Sequence, residues 1–219
     1  MFILSLVPTI VIFALLWIKK WIKNENVKQL IKIFMLGILS IVITLIFGLT
    51  VLDLIRSPFD QNSVFYIFLN NILLVGFVEE ASKYIFVRLG TRKANDSNDQ
   101  MAMIVYAVTV ALAFATIENI FYLEDSNIVL AIARALLTVP NHAAYGVIMG
   151  YNLAISRRSV KALFIPTLIH GVIDGVLDLG RYSWLFVLVG IGLTIANYVY
   201  AIKLMKKAKT NSDIIECGT

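Results

Sequence analysis

Seven apolar runs, each close to the length of a membrane-crossing helix, occupy most of this 219-residue chain: 2–18, 31–51, 64–87, 101–123, 128–153, 162–179 and 183–204. About 20 apolar residues cover the hydrocarbon of a bilayer. A chain in lipid must satisfy its backbone internally, and no strand-like alternation competes. The expected fold class is therefore all-α, a polytopic transmembrane helical bundle of about seven spans. The chain is 59% hydrophobic and 15% charged, with a mean hydropathy of +0.84. Soluble domains run nearer ~45–50% and ~25%, so much of this surface must face lipid. No Pro-, Gly- or Ser-rich linker divides the sequence, and a single integral membrane domain over 1–219 is expected, ending in a basic tail at 203–219.

The net charge of +5 is distributed in a way that speaks for membrane orientation and against nucleic acid. Fifteen of the 19 Lys and Arg fall on one side of the seven-span arrangement: Lys19, Lys20, Lys23, Lys28 and Lys32; Arg88, Arg92 and Lys93; Arg157, Arg158 and Lys161; Lys203, Lys206, Lys207 and Lys209. The other side keeps Arg56 and Arg181 with Asp53, Asp60, Glu124, Asp125 and Asp178. The positive-inside rule then predicts an outside N-terminus and a cytoplasmic C-terminus. The first run lacks a basic leader and a small-residue cleavage site, which favours a retained span over a removed signal peptide. The single cysteine, Cys217, rules out an intrachain disulfide and Cys-rich metal sites, and the ending Glu216-Cys217-Gly218-Thr219 is not a prenylation signal.

Ionisable side chains interrupt four of the spans. A charge at the bilayer centre costs roughly 2.5–3.5 kcal/mol even on the lenient insertion scale, so each needs a reason. Glu79, Glu80 and Lys83 share the third span at spacings that let one ammonium reach both acids; a lone salt bridge would need only one of them. Glu118 and Asn119 lie side by side in the fourth span, where Glu118 is either a partner for Arg134 of the next span or part of the chemistry. In the fifth span Pro140 removes a backbone donor and tends to kink the helix. Asn141 can satisfy the freed carbonyls, and His142, Gly146 and Gly150 follow at i, i+4 and i+8, giving a small face that packs closely. The sixth span sets His170 one turn before Asp174, a carboxylate able to fix the imidazole's tautomer, beside Gly171 and Gly175. The two histidines of the chain are thus both near midspan and both beside glycines.

Glu79-Glu80-Ala81-Ser82-Lys83 reads EExxK, Phe114 to Asn119 reads FxxxEN, His142 to Gly146 reads HxxxG, and His170 to Asp174 reads HxxxD. These four motifs, in this order on successive spans, resemble the PrsW family of intramembrane proteases; the resemblance covers roughly 64–179. It implies a multi-pass protein of the bacterial cytoplasmic membrane with a role in the first, site-1 type cleavage of membrane-anchored anti-sigma factors in bacterial stress signalling. The wider clan it points to includes CAAX prenyl endopeptidases and a non-catalytic gamma-secretase subunit, so it holds enzymes and scaffolds alike. The CAAX branch has His where this chain has Glu118, which makes His142 the imidazole expected to hold the attacking water. That branch often has Asn in place of Asp174.

The expected chemistry is water-mediated peptide hydrolysis, with Glu79, Glu80, His142 and His170 as the catalytic set. Either Glu79 or Glu80 takes a proton from a water held with His142. His170, oriented by Asp174, stabilises the oxyanion or protonates the leaving amine. Lys83, Glu118 and Asn119 support the site, with Asn119 or Asn141 positioning the substrate backbone. No cofactor is required in this scheme. In a second version His142, His170 and Glu80 hold zinc with one position open for water, although no HExxH is present. The partners expected are a membrane-anchored protein substrate and the lipid bilayer, without nucleic acid. Two other functions use the same residues: a proton or ion transporter, which would usually show an inverted repeat, and a non-catalytic membrane scaffold.

Overall fold

The computed structural model describes residues 2–19, 21, 27–48, 62–92, 94, 99–123 and 128–217, and among these every regular element is helical. The helices are α1 (Phe2–Ile18), α2 (Val27–Phe47), α3 (Val64–Gly90), α4 (Gln100–Leu123), α5 (Ile128–Ile155), α6 (Lys161–Asp178) and α7 (Trp184–Cys217). Among the described residues α2, α3, α4, α6 and α7 are long and apolar enough to cross a membrane; α1 offers the shorter apolar stretch Leu6–Ile18. Of the residues used to read orientation, Lys20, Lys23, Asp53, Arg56, Asp60, Lys93, Glu124 and Asp125 lie outside the described residues, as does the Cys217 side chain.

The central helix is α4, which packs on α5 most extensively and also on α2, α1, α3 and α7. Its residues Ile104, Leu112, Ala113 and Phe114 are fully buried, whereas α2 and α7 turn Ile31, Met35, Ile46, Leu188, Ile195 and Ile202 outward. An outward apolar surface of this kind is what lipid requires. The α4–α5 approach is close because Gly150 has no side chain: a Cβ there would stand 2.6 Å from the Ile104 Cα. Gly171 of α6 does the same against the backbone of Ile72 in α3, where any Cβ would collide. These contacts draw the helices carrying the motif residues together.

Two features differ from a plain seven-rod reading. α3 is α-helical over Val64–Leu69 and Phe77–Gly90, but the intervening Asn70–Gly76 is wound as a wider π-helix, a form that appears mostly as short insertions. In that stretch the Asn71 amide donates to the Ile67 carbonyl at 2.9 Å and to Asp178 Oδ2 at 2.8 Å, tying α3 to the end of α6. The second feature is α7, which does not stop near 204 but continues as helix through the basic segment to Cys217. Lys, Met and Ala are strong helix formers, and Met205 and Ala208 are buried against the core beside Met101 and Tyr151.

Candidate active site

The motif residues of α3, α4, α5 and α6 meet inside the bundle. Glu79, Glu80 and Lys83 occupy the first two turns after the π segment, and all three are buried. The Lys83 ammonium is the hub: its Nζ donates to Glu80 Oε1 at 2.8 Å, to Glu79 Oε2 at 3.2 Å and to His142 Nδ1 at 2.9 Å. An ammonium has three protons and no lone pair, so these contacts use it fully. Because it can only donate, the His142 Nδ1 facing it accepts, and the His142 proton resides on Nε2. That Nε2 lies 3.0 Å from Glu118 Oε2. The Phe114 ring of the FxxxEN motif lies under Lys83 with Nζ 4.0 Å from its centroid, a cation–π contact on the side the carboxylates leave open.

His170 is bracketed by acids. Its Nδ1 is 3.1 Å from Glu80 Oε1 and its Nε2 is 3.2 Å from Asp174 Oδ2, with Glu79 Oε2 at 4.0 Å. Asp174 makes this contact from one turn away on the same helix and is the most exposed member, its side chain 38% accessible. A network of seven side chains therefore runs across four helices, from Arg134 through Glu118, His142, Lys83, Glu80 and His170 to Asp174, with Glu79 beside its middle.

The sequence left two roles open for Glu118, and the geometry gives it both contacts. Oε1 pairs with Arg134 Nη2 at 3.1 Å while Oε2 faces His142. Arg134 also donates from Nε to Asn119 Oδ1 at 3.0 Å and lies over the Tyr122 ring at 3.9 Å. Asn119 is fully buried, and its Nδ2 has no hydrogen-bond partner among the described residues. Asn141 is differently placed. It donates to Thr194 Oγ1 at 3.3 Å and accepts from Asn197 Nδ2 at 2.9 Å, so both ends of its amide are held by α7. Of the two amides considered for the substrate backbone, Asn119 is the one whose Nδ2 makes no hydrogen bond among the described residues, whereas Asn141 Nδ2 makes one.

Sequence reasoning passed over Tyr145, Thr194 and Asn197. Tyr145 stands inside the HxxxG motif, one turn after His142, so its position was visible, but nothing in the spacing shows that its ring stacks on an imidazole of another helix. The residues of α7 carry no motif at all, and only a cross-helix contact reveals them.

One nitrogen or oxygen each from Glu79, Glu80, His142 and His170 can be chosen so that all four lie within 4.8 Å of one another. Two imidazoles and two carboxylates suit zinc by donor type. Glu80 Oε2 is buried without a hydrogen-bond partner among the described residues, which leaves an acceptor in the cluster unspent. The residues fit such an ion, and Lys83, touching three of the four groups, supplies the positive charge among them here.

The fold and this centre define a class: a polytopic helical membrane protein with a buried acid–imidazole site. The family described as PrsW family intramembrane metalloprotease matches residues 25–204. Relatives named Protease PrsW include one from Halalkalibacterium halodurans, 30% identical over 195 residues that cover 84% of this chain and 86% of the relative. Another, from Bacillus subtilis, is 29% identical over 215 residues and covers 94% of each chain. A third, from Clostridioides difficile, is 29% identical over 205 residues, 86% of this chain and 83% of its own. The chain belongs to the PrsW family of intramembrane proteases. No solved structure gives a match.

Proposed function

We propose that this protein hydrolyses a peptide bond of a membrane-anchored protein, with a bacterial anti-sigma factor as the substrate class, from within the cytoplasmic membrane. In this reading the chain crosses seven times with its N-terminus outside. The observation that carries the reading is the convergence of Glu79, Glu80, His142 and His170 from three helices, their donor atoms within 4.8 Å of one another. Burial of four such groups costs stability that packing alone would not demand, and functional sites are where that cost is met.

Glu79 is the general base. Its side chain is 10% exposed against 1% for Glu80, and it contacts only Lys83 closely. Glu80 is committed on one oxygen to Lys83 and His170 at once. Glu79 takes a proton from water as the water oxygen bonds to the carbonyl carbon, and the carbonyl π pair moves onto oxygen. The proton held by Glu79 then passes to the nitrogen as the C–N bond breaks, leaving an acid and an amine. Lys83 holds Glu80 ionised, Glu118 fixes the ring of His142, and Asn119 offers its free N–H to the substrate backbone.

If zinc is resident, His142, His170 and Glu80 would hold it and Glu79 would stay free as base. A bound zinc ion supplies a Lewis acid and a more acidic water. Capture of membrane proteins by a Glu79→Gln/Glu80→Gln double variant, followed by mass spectrometry, should return substrates that the wild type cleaves in reconstituted vesicles. Captured proteins that stay intact with the wild type, in vesicles where it moves protons instead, would overturn the proposal in favour of transport. Elemental analysis of active protein decides the metal: full activity without stoichiometric zinc removes that version.

A further inference from the structure

The oxyanion formed in that reaction needs a donor, and the network leaves few. Lys83 uses its three protons on Glu79, Glu80 and His142. Both His170 nitrogens face carboxylates, Glu80 on one side and Asp174 on the other. His142 turns Nδ1 to Lys83 and Nε2 to Glu118. Asn119 sits beyond Glu118, bonded to Arg134. Among the described residues two buried hydroxyls have no hydrogen-bond partner, those of Thr167 and Tyr145, and Tyr145, 1% exposed, is the one whose ring meets both histidines. Its ring stacks on His170 with centroids 4.8 Å apart and planes 21° apart, and meets His142 edge-on at 5.9 Å and 86°. The two imidazoles stand edge to face at 5.2 Å, so Tyr145 closes a three-ring wall beside the carboxylates.

A buried hydroxyl without a partner costs stability, and natural cores rarely tolerate one. A phenylalanine would fill the same space and stack as well. Keeping oxygen there has a reason if the partner arrives with the substrate. We propose that Tyr145 is a further catalytic residue: its hydroxyl donates a hydrogen bond to the carbonyl oxygen of the scissile bond as negative charge develops on it, while its ring holds the two histidines in register. The proposal rests on the hydrolytic reading of the site. No proton is lost from Tyr145 in the step; the hydrogen bond tightens as the tetrahedral intermediate forms and relaxes when the C–N bond breaks. Preorganised donors of this kind contribute about 10²–10³-fold to turnover.

The test compares the wild type with Tyr145→Phe, Tyr145→Leu and Glu79→Gln, each as the full chain in phospholipid vesicles. The probe is a synthetic single-span peptide carrying a fluorophore and a quencher. Tyr145→Phe should lower kcat by about 10²-fold with KM little changed. It should also melt at or above the wild-type Tm, because it removes an unsatisfied oxygen. Only two histidines are present, so selective ¹⁵N-histidine labelling reports both site imidazoles; their resonances should stay in place in Tyr145→Phe and shift in Tyr145→Leu. A Tyr145→Phe protein that keeps a third or more of wild-type kcat overturns the hydroxyl's role and leaves the hydrolytic reading standing. A lower Tm in Tyr145→Phe overturns it too, since the oxygen then has a structural partner. Wild type and Glu79→Gln that are equally silent on the peptide would overturn the hydrolytic reading and this step with it.

Discussion

Two neighbouring residues of α5 point into two different polar networks. His142 enters the charged network of α3, α4 and α6, held between Lys83 and Glu118. Asn141 enters a neutral one on α7, bonded to Thr194 and Asn197. The neutral network is compact and nearly saturated, with only the Asn197 Oδ1 lacking a partner. The charged one leaves Glu80 Oε2, Glu118 Oε2, Asn119 Nδ2 and the Tyr145 hydroxyl without a hydrogen bond among the described residues. Amides that satisfy one another hold helices together and need nothing else. A network that buries charge and still keeps spare donors and acceptors is built around something that comes and goes.

That contrast can be broken most directly at the acids. Glu79→Gln should lower cleavage by about 10²–10⁴-fold, the range for loss of a general base, with little change in melting temperature. Glu80→Gln should also lose activity but should be visibly less stable, because it removes a partner of both Lys83 and His170. Similar melting temperatures for the two variants would dissolve the distinction between a free base and a committed one. Next in size is Glu118→Gln, which keeps a contact to Arg134 but no longer sets the His142 ring by charge. A drop of about 10–100-fold in turnover is expected, the range for partners that orient such groups, and Arg134→Lys should follow in the same direction by losing the fork to Asn119. The smallest effect belongs to the neutral network. Asn197→Leu should leave turnover within about twofold and cost stability on the order of 0.6–1.7 kcal/mol, the range for interhelical hydrogen bonds in membranes. Loss of activity there without loss of stability would move α7 into the site.

Much of this was legible in the chain itself. The helices follow from apolar run length, and their observed ends lie within a few residues of expectation except in α2, which starts four residues early, and in α7, where good helix formers carry the last helix through the basic segment. Glu79, Glu80 and Lys83 were bound to meet because an α-helix puts i, i+3 and i+4 on one face, and His170 with Asp174 for the same reason. The pairing of Glu118 with Arg134 was also foreseeable from their places near adjacent span ends. What could not be read is how each helix is rotated about its axis. That rotation comes from backbone approaches at Gly150 and Gly171, and it decides that His142 gives Nδ1 to Lys83 and Nε2 to Glu118, that Tyr145 stacks on His170, and that Asn141 faces away. A glycine pattern announces closeness without naming the partner.

The widened Asn70–Gly76 turn of α3 gives that rotation a separate setting on each side of it. Upstream, the helix sets its Phe68 ring against Gly175 of α6; downstream, the phase of Glu79 and Glu80 is fixed by where the wide turn ends. Removing one residue from this stretch would swing the acids by roughly 100° relative to the first half of the span, the angle one residue subtends in an α-helix. Such a deletion should keep the protein in the membrane while turning its carboxylates away from both histidines, so that cleavage ceases in a chain that still inserts. The same turn therefore sets the angle between the half of α3 that holds to α6 through Phe68 and the half that presents the acids to the two histidines.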